Sequence, residues 1–350
     1  MNPGRGTAHC PRTRYLEEAM ELTKIKRKFT VIVTGVTGFA GSHLAELLLR
    51  HSEYSVVGTT RWRSSPDNIK DLLAQGLTLY PCDITDASSV RELVQRYHPD
   101  MIYHLAAQSF VPDSWNSPAH TLTTNIIGEL NLFEAVRSKT INDSQPGCKI
   151  LVAGSSEEYG LVNPNETPIL ETNELRPMSP YGVSKIGQDF LAYQYWQSYG
   201  IKVVRARAFN HTGPRRHPAF VCSNFAKQIA IIEKIGHGVI HVGDLTAVRD
   251  FTDVRDTVRA YHSLMLLGQP GEVYNICSGV GHTISSVLTT LMQMSSAEID
   301  TEIDESRLRP SDVPILIGDC QKLKSVTDWE PLTPFKQTLE DLLNYWRERV

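Results

Sequence analysis

Phe29-Thr30-Val31-Ile32-Val33-Thr34-Gly35-Val36-Thr37-Gly38-Phe39-Ala40-Gly41 runs into Ser42-His43-Leu44-Ala45-Glu46-Leu47-Leu48-Leu49-Arg50. The β-branched run Phe29 to Val33 predicts a buried parallel strand. Leu44, Leu47 and Leu48 have the i, i+3, i+4 spacing of a helix face lying on a sheet. Three glycines sit at the junction. The first allows the tight turn, the second lets backbone approach a pyrophosphate, and the third lets helix and strand pack closely. Free N–H groups and the dipole at the helix start favour phosphate there. Glycines alone also make ordinary turns, but this setting predicts a dinucleotide seat built from Gly35, Thr37, Gly38, Phe39, Ala40 and Gly41.

The whole chain sets outer limits. Its 350 residues suit one large α/β domain or two lobes. A net charge of −4 gives no general basic field, so nucleic acid is not an expected partner. Six cysteines are scattered without CxxC pairs and no HExxH occurs, which predicts reduced thiols, no metal site and a cytoplasmic protein. No apolar run approaches the roughly 20 residues that span a bilayer. Residues 1–28 lack the apolar core of a secretory signal and carry Glu17, Glu18 and Glu21. They read as a loose extension with a short solvated helix from Tyr15 to Lys28.

Further along, Ser55 to Thr60 predicts the second strand. An acid at its end would accept from a ribose 2′-hydroxyl; here Thr60 is followed by Arg61 and Arg63, which favours NADP(H) with NAD(H) as the second candidate. Leu77 to Asp83 is the third strand. Asp83 is placed to accept from an adenine amine, Ile84 to cover the ring, and Asp86 to cap a helix. Met101 to His104 leads into the small residues Leu105, Ala106 and Ala107 and then Gln108, where a cofactor can lie close to backbone. His104 reads as a core residue. Thr121 to Arg137 has helical periodicity with Asn125 inside it. Lys149 to Gly154 is the fifth strand, ending at Ser155-Ser156-Glu157-Glu158-Tyr159-Gly160. A long Pro- and Asn-containing loop follows, 161–180, of a length that is commonly functional. Pro180 starts a helix to Tyr199 in which Tyr181 and Lys185 lie one turn apart on one face. A glycine-rich turn, a strand ending in serine and a helix carrying Tyr and Lys, in that order, predict catalysis.

These motifs together resemble the extended short-chain dehydrogenase/reductase family, also described as the NAD-dependent epimerase/dehydratases. The resemblance rests on Thr34 to Gly41, Asp83 to Asp86, Leu105 to Gln108, Ser155 and the Tyr181/Lys185 pair. Phe209-Asn210-His211-Thr212-Gly213-Pro214-Arg215-Arg216, Val242 to Phe251 (VGDLTAVRDF), Leu308 to Val313 (LRPSDV) and Leu316 to Asp319 (LIGD) resemble segments of its branch acting on GDP-mannose derivatives.

The resemblance implies hydride transfer between a nicotinamide and a sugar carbon. A phenol near pKa ~10 is a poor acid at neutral pH, and a nearby ammonium brings it closer. Tyr181 is thus the expected acid/base, Lys185 its tuning group and ribose contact, and Ser155 the partner of the reacting oxygen. Gln108 and Asn125 are expected in the same wall. Arg249 and Arg309 are the expected diphosphate contacts, being able to bond phosphate oxygens bidentately. Arg215 is a weaker one, Asn210 a contact for phosphate or sugar, and Asp312 one for guanosine. The alternative for Arg249 is an ion pair with Asp250 or Asp253. Gly154-Ser155-Ser156-Glu157-Glu158-Tyr159-Gly160 and Phe39-Ala40 look closer to reductases of GDP-4-keto-6-deoxymannose, which yield GDP-D-rhamnose. Glu157 keeps open a GDP-mannose 4,6-dehydratase, where it would remove the C5 proton. A non-catalytic NADP(H) sensor is the third reading, against which Ser155, Tyr181 and Lys185 together argue.

The expected architecture is a Rossmann-type, doubly wound parallel sheet of about seven strands with a smaller, discontinuous C-terminal substrate lobe. Residues 29–208 plus about 239–276 are expected in the dinucleotide domain, and about 209–238 plus 277–350 in the lobe. Helices 121–137 and 181–199 are expected to pair across a homodimer, or within a tetramer, with Tyr193, Tyr195 and Trp196 in the contact.

Overall fold

Val31, Ile32 and Val33 are fully buried, and their side chains alternate between two apolar layers. A strand covered on both faces needs no polar alternation, which explains its continuous apolar run. The computed structural model describes residues 27–142, 147–307 and 313–350. In its first half the chain runs β1 (Phe29–Thr34), α1 (Phe39–Leu49), β2 (Tyr54–Thr60), β3 (Thr78–Pro81), α2 (Ala87–Tyr97), β4 (Met101–His104), α3 (Gly128–Asn142), β5 (Lys149–Ser155) and α4 (Pro180–Tyr199). There follow β6 (Lys202–Ala208), β7 (Asn210–Thr212), α5 (Val221–Ile235), β8 (His237–Val242), β9 (Val248–Asp253), α6 (Val254–Leu267) and β10 (Val273–Ile276). The last elements are β11 (Gly281–Thr283), α7 (Ile284–Met292), β12 (Glu298–Ile303), β13 (Ile315–Leu316) and α8 (Phe335–Arg347).

Seven strands form one parallel sheet in the order β3-β2-β1-β4-β5-β6-β10. This is the expected α/β, doubly wound sheet. Strand order reverses between β1 and β4, so a crevice opens beyond their carboxyl ends. Val31, Val33, Leu44, Leu48, Tyr103 and Leu264 fill one face; Ile32, Val57, Ile102, Phe133, Val152 and Tyr195 fill the other.

A second lobe is built on β9, which pairs with β7 and β13 in parallel and with β11 antiparallel, while β8 and β12 form a separate parallel ribbon. Its own core includes Phe225, Ile229, Ile240, Phe251, Leu288 and Leu342. The expected boundary is corrected here. Residues 239–253 are expected in the dinucleotide domain, but β8 and β9 pair only with strands of the smaller lobe. Isolated short apolar strands carry no mark of which sheet they join. Of residues 239–276, α6 and β10 return to the large sheet, and Leu316, Leu323 and Trp329 from farther along join its core as well.

The expected helix 121–137 is also divided. Residues 118–122 are α-helical, Thr123–Ile127 form a π turn, and α3 follows. Such a π turn is costly and frequently accompanies a functional site. Helix α4 begins as expected: Ser179 Oγ accepts from Gly182 N at 3.0 Å, Pro180 occupies the first turn, and Gly200 at φ +67° ends it. The expected helix at Tyr15–Lys28 lies almost wholly outside the described residues.

Candidate active site

A cleft of about 1510 Å³ lies between the large sheet and the smaller lobe. Single-ligand sites span roughly 300–1,000 Å³, so this one has room for two. Gly35, Thr37, Gly38, Phe39, Ala40 and Gly41 line one end, with Arg61, Asp83, Ile84, Leu105, Ala106 and Ala107. Gly35 has φ +70°, and a Cβ there would meet Ala106 Cα at 2.9 Å; a Cβ on Gly41 would meet the Gly35 carbonyl oxygen at 2.3 Å. The turn therefore admits only glycine at both positions. Among the described residues no side chain caps α1 and no acid stands in its first turn, leaving its positive end to an anion. That uncapped end, walled by small residues, fits a dinucleotide pyrophosphate. Asp83 is partly committed, since its Oδ1 accepts from Thr85 N and Oγ1 at 2.9 and 2.8 Å. Arg63 is exposed and turned over the Trp62 ring at 4.7 Å, so it is not part of the lining.

At the middle of the cleft β5 delivers Ser155 and α4 delivers Tyr181 and Lys185. Burial pushes the Tyr181 phenol well above its ordinary range, and a hydrogen bond with Ser155 opposes this. Lys185 Nζ stands 5.9 Å from the Tyr181 ring centroid and donates to Ala153 O and Gln188 Oε1, both at 2.8 Å. Burial lowers its ammonium to about 8, while Glu129 and Glu158 raise it. The expected tuning of Tyr181 toward neutral pH is thus outweighed by desolvation in this state. Glu157 lines the cleft beside Ser155, and its backbone N–H donates to Ser155 Oγ at 3.2 Å.

Gln108 lines the cleft too; its Nε2 donates to Phe110 O at 2.9 Å, and its buried Oε1 has no hydrogen-bond partner among the described residues. Asn125 does not line it. Fully buried in the π turn, it accepts from Gln108 N at 2.8 Å and donates to Gln108 O and Ser184 Oγ at 3.1 and 2.8 Å. Its amide is used in bracing the loop after β4 against α4, which corrects the expectation of a substrate contact.

At the far end Asn210 and Arg249 line the cleft. Arg249 is buried and donates to Val248 O at 3.0 Å. Its two suspected carboxylate partners hold other donors: Asp250 accepts from Ser278, Gly279 and Gly318, and Asp253 from Arg255 and Thr338. Arg215 is corrected: it pairs with Glu46 at 2.7 Å, outside the lining, at a backbone φ of +72°. The neighbouring Arg216 lines the cleft instead, its guanidinium 4.8 Å from the Phe39 ring and 3.4 Å from the Phe220 ring. Burial lowers Arg216 to about 10, with Tyr181 acting in the opposite sense. Sequence reading missed Arg216, as well as His211 stacked on Phe39 at 5.8 Å and Arg307 bonded to Asn224 at 2.8 Å. Adjacent arginines in a turn give no sign of which one faces inward. Arg309 and Asp312 lie outside the described residues.

Residues 32–342 match the family described as GDP-mannose 4,6 dehydratase. The chain belongs to that family. This family member is 32% identical over 321 residues to the GDP-6-deoxy-D-mannose reductase of Pseudomonas aeruginosa, covering 91% of this chain and 98% of the relative. It is 34% identical over 347 residues to GDP-mannose 4,6 dehydratase 2 of Arabidopsis thaliana, covering 94% and 91%. Its fold matches the NADPH complex of the Pseudomonas aeruginosa protein RMD with a TM-score of 0.79 at 31% identity, over 92% of this chain and all of the other. A UDP-glucose 4-epimerase of Thermus thermophilus, in complex with NAD, aligns at TM-score 0.81 and 28% identity, over 92% and 100%. The GDP-mannose 4,6 dehydratase family member thus stands among nucleotide-sugar oxidoreductases and dehydratases of the extended short-chain dehydrogenase/reductase fold. Among its described residues no helix is long and apolar enough to cross a membrane, and no cluster of His, Cys, Asp and Glu suits a metal ion.

Proposed function

We propose that this protein reduces the C4 ketone of GDP-4-keto-6-deoxy-D-mannose with NADPH, or less well with NADH, giving GDP-D-rhamnose. The observation that carries this reading is the meeting of Ser155, Tyr181 and Lys185 in the middle of a cleft lined by the glycine turn at one end and by Arg249 at the other. A neutral phenol donates to a ketone becoming an alkoxide, and the choice of reduction over dehydration rests on the likeness of the segment from Gly154 to Gly160 and of Phe39-Ala40 to the reductases. The Pseudomonas aeruginosa reductase supports the same substrate class.

Bound at the glycine turn, a reduced nicotinamide dinucleotide supplies the hydride. Tyr181 supplies the proton to the sugar oxygen, and Ser155 orients that oxygen. Lys185 holds the nicotinamide ribose and stabilises the phenolate left by proton donation. Arg61 takes the 2′-phosphate and Asp83 the adenine amine, with Ile84 against the ring. Leu105, Ala106 and Ala107 keep the floor low enough for the cofactor. Arg249 takes the sugar nucleotide's diphosphate and Asn210 an adjacent oxygen; Arg309 and Asp312 are assigned to this end by resemblance alone. Gln108, with an unused buried oxygen, is a second contact for a donor on either ligand. The proposed assembly is a homodimer, with a tetramer as the alternative.

Glu157 favours a second reading. A carboxylate in the cleft wall beside Ser155 would serve as the C5 base, and the Arabidopsis thaliana relative is a dehydratase. One assay separates the two. NADPH consumed only with the 4-keto-6-deoxy sugar supports the reductase. Formation of that keto sugar from GDP-mannose without net NADPH loss supports the dehydratase. Binding of NADPH with neither turnover returns the sensor.

A further inference from the structure

Behind Lys185, away from the cleft, lies a buried carboxylate that the proposed chemistry does not use. Glu129, in the first turn of α3, has no exposed surface; Gln188 and Lys185 on α4 are 1% and 4% exposed. Lys185 Nζ donates to Gln188 Oε1 at 2.8 Å, and Gln188 Nε2 donates to Glu129 Oε2 at 2.5 Å. The amide therefore stands with its oxygen toward the ammonium and its nitrogen toward the carboxylate. That is the orientation its dipole takes between a cation and an anion.

Other charged groups pack around this pair. Arg207 of β6 binds Glu158 at 2.9 Å and Asp189 at 2.5 Å, and Arg205 binds Asp189 at 3.1 Å. Those two carboxylates are answered by guanidinium groups. Glu129 has no such ion pair among the described residues, and its Oε1 has no hydrogen-bond partner there. Lys185, Arg205 and Arg207 thus stand against Glu129, Glu158 and Asp189, and the cations and carboxylates of this cluster balance with Glu129 ionised. His104 of β4 also faces Lys185; burial lowers it to about 3, so it adds no charge at neutral pH.

We propose that Glu129 is a positioning residue: acting through Gln188, it is the counter-charge that keeps Lys185 protonated and held beside the nicotinamide ribose and Tyr181. The inference rests on the reductase reading for the role of Lys185, but not for the charge pairing itself. Burial holds the Glu129 carboxyl well above its ordinary range and draws the Lys185 ammonium down to about 8; Lys185 is the largest influence opposing the first and Glu129 the largest opposing the second. Each thus supports the ionised form of the other.

The test is the alkaline limb, read in two ways on the full chain: NADPH affinity against pH, which needs no turnover, and kcat/KM against pH with the keto sugar. Glu129→Gln keeps the shape and removes the charge. The expected result is a limb moved to lower pH by about one pH unit in both profiles, with Glu129→Asp restoring most of it. Gln188→Glu, which puts a carboxylate directly on Lys185, is expected to move the limb to higher pH and keeps the test open if Glu129→Gln does not fold. Unmoved limbs in folded Glu129→Gln or in Gln188→Glu overturn the proposal, as does a uniform loss at every pH. If the wild-type protein reduces no keto sugar, the reductase reading falls while the NADPH profile still decides the role of Glu129.

Discussion

Tyr181 and Lys185 sit on one face of α4, yet their environments push them in different directions. The phenol rises out of range because burial is its largest influence, and the ammonium falls to about 8 for the same reason. Activity is therefore expected to be flat near neutral pH and to fall as pH rises through about 8, where Lys185 loses its charge and Tyr181 still holds its proton. A kcat/KM profile rising across that range would contradict the assignment. Tyr181→Phe removes the acid alone; its kcat is expected to drop by roughly 10²–10⁴-fold while NADPH still binds, as stopped-flow and fluorescence titration would read. Both residues were legible in the sequence because their spacing on a helix is fixed by helix geometry. Arg216 was not. Whether Arg215 or Arg216 enters the cleft depends on a left-handed residue at 215, and nothing in Pro-Arg-Arg encodes that turn for a reader of spacing. Asn125 was placed in the right wall but on its far side, because a π turn rotates it into the protein.

At the scale of elements, the glycine turn and α1 show what a close approach requires. A Cβ at Gly41 would stand 2.3 Å from a backbone oxygen that has no room to move. Gly41→Ala is expected to cost about 1–3 kcal/mol, seen as a lower melting temperature, together with weaker NADPH binding. Gly76→Ala meets nothing within 4 Å, although its φ of +101° strains any side chain; it is expected to spare NADPH binding whatever it does to stability. At the end of β2, Arg61 stands where an acid would select NADH. Arg61→Ser is expected to reduce the preference for NADPH over NADH by about tenfold, measured as the ratio of kcat/KM for the two cofactors. An unchanged ratio would move 2′-phosphate recognition away from Arg61. The order of strands and helices around this turn was readable from hydrophobic period, since each parallel strand is covered on both faces. The partners of β8 and β9 were not, because pairing in the smaller lobe depends on chain segments far apart in sequence: β9 meets residues from 210–212, 281–283 and 315–316.

For the whole molecule, the surface of α4 bears on assembly. The expected contact residues Tyr195 and Trp196 turn inward: Tyr195 stacks on Phe133 at 5.0 Å, and a Cβ on Gly271 would meet the Trp196 ring at 2.2 Å. Outward face Val183 and Phe190, two turns apart, with Tyr193 one turn on; Phe190 is 56% exposed. The π turn packs close alongside, since Gly187 leaves space for Ile126, and the next residue, Ile127, is exposed as well. Two neighbouring helices thus present large apolar side chains where a monomer would carry polar ones, and a second copy crossing the same helices would bury them symmetrically. Light scattering is expected to give a mass of twice the 39.2 kDa chain, or a higher even multiple. Phe190→Asp places a charge at the centre of that face and is expected to release single chains. Its fold should survive, because the side chain lies outside both core layers, so an unchanged melting temperature checks that only assembly has changed. A wild-type protein with the mass of one chain, or a Phe190→Asp variant that keeps its partners, would show that this apolar face is not where the copies meet.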